Sequence, residues 1–169
     1  MQRSHTTNFK MMSFIHETLY GLLRDPYKAL DAAGLQAGQA VLEVGCGPGF
    51  FTVPAAQVVG EKGSLLAMDV NSLAVEHVRR KIEEAGVTNE QVIVANAART
   101  DLPDRGFDLA FVFGLARPIG GIEAIWVELH RLLKTDGILS VEGRLLPPER
   151  LFEPVKRQGR IVRFRKREA

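Results

Sequence analysis

Two rhythms of apolar residues run along this chain. Met11, Met12, Ile15, Leu19, Leu22 and Leu23 recur at helical spacing and predict a helix from Met11 to Arg24. Asp25-Pro26 ends it and opens the next helix, with Asp25 as N-cap and proline in the first turn. That helix closes near Gly34. From there short apolar runs alternate with helical segments. Ala40–Val44 reads as strand one, and a helix follows from Phe50 to about Val58. Residues 64–69 form strand two. Asn71-Ser72 caps a helix from Leu73 to about Ala85, which Gly86 stops. Gln91–Ala95 is strand three. Phe107–Phe113, almost wholly apolar, reads as strand four, buried on both faces. Pro118 and two glycines open a helix from Ile122 to Lys134, and Asp136-Gly137 leads into strand five, Ile138–Glu142. Phe152–Lys156 and Ile161–Arg165 flank a polar turn at Gln158-Gly159 and read as a hairpin.

Strands alternating with helices predict an α/β fold with a mostly parallel, doubly wound sheet, to which the hairpin adds an antiparallel strand. Gly143 to Leu151 leaves room for one turn of helix only, so that end of the sheet should be trimmed.

Composition narrows the class. A length of 169 residues suits one domain, 26–169, preceded by an arm and helix over 1–25. Hydrophobic content of 46% with 25% charged residues is globular, not disordered. One cysteine rules out an intramolecular disulfide and a cysteine metal cluster, and no metal is expected. The start, Met1-Gln2-Arg3-Ser4-His5, is polar, and no apolar run approaches the roughly 18 residues of a membrane span. A cytoplasmic protein is the expectation.

Net charge of +2 does not by itself argue for nucleic acid. The charge is uneven, however. Arg150 to Ala169 holds eight Lys/Arg against two Glu, and four of the eight lie in Arg163-Phe164-Arg165-Lys166-Arg167. A solvated edge strand accounts for that run, since cations blunt sheet edges. A patch that meets RNA or an acidic partner is the alternative.

The chemistry concentrates in Val41-Leu42-Glu43-Val44-Gly45-Cys46-Gly47-Pro48-Gly49, a buried strand running into a glycine turn. Glycine at alternate positions lets the backbone approach a ligand closely, and the helix that follows aims free N–H groups at it. In Gly-x-Gly-x-x-Gly the third glycine would fall at Phe50, so this is a poor turn for a nicotinamide or flavin cofactor. The turn resembles motif I of the class I S-adenosylmethionine-dependent methyltransferases, where an acidic residue precedes the first glycine by two, as Glu43 does. The family's next signature is an acidic residue ending the second strand. Asp69 supplies it, 20 residues after Gly49. A carboxylate there can accept hydrogen bonds from both ribose hydroxyls.

The resemblance implies a seven-stranded sheet of order 3-2-1-4-5-7-6 and S-adenosylmethionine as cofactor, with S-adenosylhomocysteine as product. It implies that Glu43 belongs to the cofactor site, that Gly45, Cys46, Gly47 and Gly49 face the methionine part and ribose, that Asp69 holds the ribose and that Val70 packs on the adenine. Asn96-Ala97 ends strand three where the family often has Asp-Ala. The Asn96 amide oxygen can still accept from the adenine amino group, and the Ala97 N–H can serve adenine N1. Phe113 borders the site at the end of strand four. Cys46 lacks a paired base and is not read as a nucleophile.

After strand four the chain reads Phe113-Gly114-Leu115-Ala116-Arg117-Pro118, without the Asn/Asp-Pro-Pro-Tyr of amino methylases, a Pro-Cys nucleophile or acidic metal ligands. The Phe-Gly-Leu and the Arg131-Leu132-Leu133-Lys134-Thr135-Asp136-Gly137 segment are similar to the ubiquinone/menaquinone-biosynthesis methyltransferases. The resemblance implies a small-molecule acceptor. RNA or protein as substrate, and a non-catalytic cofactor binder, stay open, as does a homodimer. Catalytic residues are not assigned. Arg117, Tyr20, His16, Glu142 and Arg144 are candidates for substrate contact, Arg117 foremost because it could hold an anion.

Overall fold

The computed structural model describes residues 24–115 and 119–168. Pro26–Ala33 forms α1, with Asp25 accepting from the Tyr27 and Lys28 amides and Gly34 closing it in the left-handed region. Then follow β1 (Ala40–Val44), α2 (Thr52–Val59), β2 (Ser64–Asp69), α3 (Ser72–Ala85), β3 (Glu90–Val94), β4 (Phe107–Phe113), α4 (Ile122–Leu132), β5 (Leu133–Glu142), β6 (Phe152–Gln158) and β7 (Ile161–Lys166). The expected helix over Met11–Arg24 lies outside the described residues except for Arg24, which is not helical.

The seven strands order as β3-β2-β1-β4-β5-β7-β6, as the resemblance implied. The first five are parallel, and β7 is antiparallel to both of its neighbours. Alternation sends successive β1 side chains to opposite faces. Leu42 and Val44 join Ile125, Trp126, Leu129 and Leu132 of α4 in one core. Val41 joins Leu30 and Ala33 of α1 and Ala55, Ala56 and Val59 of α2 in the other. Helices therefore cover both faces, and the strand ends beyond Val44, Asp69 and Phe113 open toward one edge.

Several expected boundaries move. Helix α4 stops at Leu132, not Lys134, and β5 begins at Leu133 rather than Ile138. Leu133 pairs with Phe107 across the sheet, and Lys134 donates to Asp108 at 2.8 Å. The sheet thus claims both residues, and Asp136 at positive φ absorbs the register shift that follows. Helix α2 starts at Thr52, because Phe50 and Phe51 still belong to the turn. No helical turn forms between Gly143 and Leu151.

The basic run is not an edge strand either. It forms β7, inside the sheet, and β6 takes the edge with Pro154 on it. Arg163 reaches back to the carbonyls of Asp31 and Ala32 at the C-terminal end of α1, where a cation suits the helix dipole. Lys166 is buried and donates to the Leu133 carbonyl, while Arg165 and Arg167 lie beside Glu153. Among the described residues no helix is long and apolar enough to cross a membrane.

Candidate functional site

A cavity of about 310 Å³ lies over the carboxyl ends of β1, β2, β4 and β5. Its floor is the turn after β1. Gly45, Gly47 and Gly49 all take positive φ, a conformation that side chains resist. A Cβ on Gly47 would meet nothing, so its backbone faces open space. Gly49 points the other way: a Cβ there would lie 2.8 Å from Val78 of α3. The two glycines therefore do different jobs. One leaves the cavity floor bare, and the other lets α3 pack beneath.

Asp69 stands at the end of β2. Its Oδ2 accepts from the Gly47 amide and its Oδ1 from the Asn71 amide, both at 2.9 Å. The carboxylate is thus fixed in orientation and keeps a lone pair on each oxygen for a ligand. Val70 follows, 46% exposed although apolar, and lines the cavity with Ile119. Asn96 caps the Ala98 amide through Oδ1 at 2.9 Å, and both Asn96 and Ala97 line the wall.

The structure brings together most of the residues expected at the cofactor site. Gly45, Cys46, Gly47, Asp69, Val70, Asn96, Ala97 and Phe113 all line this cavity, and so does Glu142. Glu43 and Gly49 do not: Glu43 is buried in β1, and Gly49 faces α3. Glu43 is 2% exposed, and its Oε2 has no hydrogen-bond partner among the described residues. Burial pushes its carboxyl up to about 8, opposed by the nearby Thr52 hydroxyl, which stands outside hydrogen-bond geometry, and reinforced by the Asp69 charge. The Cys46 thiol is also pushed well up, first by burial and then by Glu43 and Asp69, so it stays protonated. Arg117, His16 and Tyr20 lie outside the described residues. Arg144 is exposed and lines neither this cavity nor its neighbour across Glu142.

One site residue went unread in the sequence. Arg24 donates to Glu142 Oε2 at 2.6 Å, and its guanidinium lies 5.0 Å from the Phe51 ring centre and 5.6 Å from that of Phe113. Phe51 and Phe113 themselves meet edge to face at 5.1 Å. The Arg24 and Glu142 side chains are only 21% and 10% exposed, which strengthens both the charge contact and the cation–π contact.

Behind the site, Glu128 accepts from the Thr100 amide and hydroxyl and pairs with Arg131, which also bonds Asp104 and the Leu102 carbonyl. The Arg131 bonds hold the Glu128 carboxyl down to about 2. This network ties the loop after β3 to α4. His130 contacts the Arg167 carbonyl at 2.8 Å and the Phe152 ring.

Residues 41–137, more than half of the chain, match the methyltransferase domain family. The chain belongs to that family. Over 129 residues this methyltransferase-family chain is 31% identical to the ubiquinone/menaquinone biosynthesis C-methyltransferase UbiE of Vibrio vulnificus, covering 76% of this chain and 48% of that protein. The protein of the same name from Photorhabdus laumondii is 33% identical over 131 residues, 76% of this chain and 51% of that one. The chain therefore spans about half the length of the curated relatives it matches. A crystal structure of a SAM dependent methyltransferase from Aquifex aeolicus superposes with a TM-score of 0.75 at 25% identity, covering 95% of this chain and 98% of the other.

The cofactor of this family is S-adenosylmethionine, and the residues present fit it. The bare glycine floor admits a ligand against the backbone. The doubly held carboxylate keeps acceptors for a diol, and the exposed Val70 offers an apolar face to a base.

Proposed function

We propose that this chain transfers a methyl group from S-adenosylmethionine to a small-molecule acceptor. The observation that carries the reading is Asp69, its carboxylate locked by the Gly47 and Asn71 amides over a glycine floor. In this reading Gly45, Cys46 and Gly47 border the methionine part and ribose, Asp69 holds the ribose hydroxyls, and Val70, Asn96 and Ala97 receive the adenine. Glu43 and Gly49 support the turn from below. Phe113 and the Arg24–Glu142 pair close the reactive end. When bound, the cofactor supplies a sulfonium-activated methyl group. The protein's own part is to hold the acceptor in line and exclude water, and such positioning contributes up to about 7–11 kcal/mol.

Small molecules are favoured over RNA because the basic run of β7 is engaged within the fold. Arg163 caps α1, Lys166 is buried, and Arg165 and Arg167 face Glu153.

Calorimetric titration with S-adenosylmethionine and S-adenosylhomocysteine tests the reading. The wild type should bind at micromolar strength, and Asp69→Ala should lose about 100-fold, the cost of two unmade hydrogen bonds to a charged acceptor. A wild type that binds NAD(H) and neither of these ligands would overturn it.

A further inference from the structure

The Arg24–Glu142 pair has a second cavity on its far side. This one is more open, about 780 Å³, and lies between α1, the end of β5 and the β6–β7 turn. Arg24, Gly114 and Glu142 line both cavities. The ion pair is therefore a wall shared by two chambers, and the outer chamber reaches the end of the inner one bounded by Phe113 and Gly114.

The outer chamber has an uneven charge. Five ionised side chains line it: Arg24, Asp25, Lys28, Glu142 and Arg160. Both acids are engaged. Asp25 Oδ1 caps α1 through two amides, and Glu142 receives Arg24 at 2.6 Å. The cations at the mouth are not comparably held. Lys28 stands 3.9 Å from Asp25, and Arg160 stands 3.9 Å from Glu142. Their side chains are 86% and 85% exposed. Contacts of that length and exposure contribute little, so both cations can exchange them for a ligand oxygen. Ala29, Ala32 and Ile161 supply an apolar wall behind them.

We infer that the outer chamber binds the acceptor and that the acceptor carries an anionic group, a carboxylate or a phosphate, which Lys28 and Arg160 receive. Its apolar body lies on Ala29, Ala32 and Ile161, with the reacting end at Gly114, which lines both chambers and puts no side chain between them. Arg160 is suited to the task because its planar fork matches either anion with two parallel hydrogen bonds. This inference rests on the methyltransferase reading, and it sets the substrate class that reading leaves open.

The test uses the full chain saturated with S-adenosylhomocysteine and titrated with benzoate, phenyl phosphate and the uncharged benzamide. At least one anion should bind at millimolar strength or better, tenfold or more above benzamide, and should weaken with added salt. Benzoate alone binding would identify a carboxylate acceptor, and phenyl phosphate alone a phosphate. The double variant Lys28→Ala, Arg160→Ala should lose about tenfold or more in anion affinity, and its unchanged affinity for S-adenosylhomocysteine would verify that it folds. The inference is overturned if benzamide matches the anions, if the double variant keeps them, or if neither anion binds at up to about 10 mM, where even a weak site fills. Those three results leave cofactor binding intact and sink only the acceptor assignment. A wild type that fails to bind S-adenosylhomocysteine sinks both.

Discussion

The two walls of the inner cavity are built from different material. At the ends of β1 and β2 the ligand-facing groups are backbone amides, bare glycine and one carboxylate pinned by two amides. At the ends of β4 and β5 they are side chains: the Phe51 and Phe113 rings, Arg24 over them, and Glu142. A backbone wall tolerates little variation, since its geometry comes from φ and from the strands themselves. A side-chain wall can be rebuilt one residue at a time without disturbing the sheet. A fold that keeps one cofactor and changes its acceptor needs both kinds of wall.

Substitutions can break this contrast, beginning with the backbone wall. Gly49→Val should destabilise the chain by about 3 kcal/mol or more, because positive φ and the 2.8 Å approach to Val78 act together. Urea denaturation measures this, and a loss below about 1 kcal/mol would mean that α3 yields easily.

Glu128→Ala should cost nearly as much, about 2–4 kcal/mol, by leaving Arg131 without its main partner and Thr100 unbonded. Affinity for S-adenosylhomocysteine should stay within about threefold in the folded fraction, since the network lies behind the cavity and not in it. The same carboxyl gives a pH signature. It is held down to about 2, so its contribution is complete above the ordinary carboxylate range and fades as pH falls toward 2.

Glu43 works in the opposite sense. Its carboxyl is raised from 4.5 to about 8, so the folded state keeps a proton that the unfolded state releases. Stability should therefore fall as pH rises from 4.5 to about 8. Glu43→Gln should remove that slope and stand on the order of 2 kcal/mol above the wild type near pH 8. Thermal melts at pH 5 and pH 8 would decide it, and equal slopes in the two proteins would reject the buried neutral carboxyl.

The smallest effect belongs to the other wall. Arg24→Ala should cost about 1–2 kcal/mol of stability and change S-adenosylhomocysteine affinity by less than about fivefold. A loss near that of Asp69→Ala would erase the distinction between the walls.

How much of this was legible depended on distance along the chain. The glycine turn, Asp69 and the strands rest on local periodicity and short spacings, and the sequence displays them directly, while the sheet order followed from the family resemblance. The α4–β5 junction was misplaced because Leu132 and Leu133 fit a helix face and a buried strand equally well. Only the pairing of Leu133 with Phe107 separates the two. Glu128 and Arg131 stand three apart on a predicted helix, a spacing that could have flagged the pair. Arg24 offered no such signal, because its partner Glu142 is 118 positions away. Edge and interior strands also look alike when long cations are involved. Arg163 passed for a solvated residue, yet it turns back onto the α1 carbonyls.

That last contact bears on the order in which the molecule is assembled. Residues of β7 bind the end of α1 from 131 positions further on, and Arg24 enters the site just ahead of the N-cap of α1. A chain growing from its N-terminus has the glycine floor, Asp69 and the β4 end in hand while β7 is still unmade. The outer chamber, which takes wall residues from both α1 and the β6–β7 turn, is the last part to acquire its shape. The floor of the inner cavity thus precedes the outer chamber, which is complete only when β7 slides between β5 and β6.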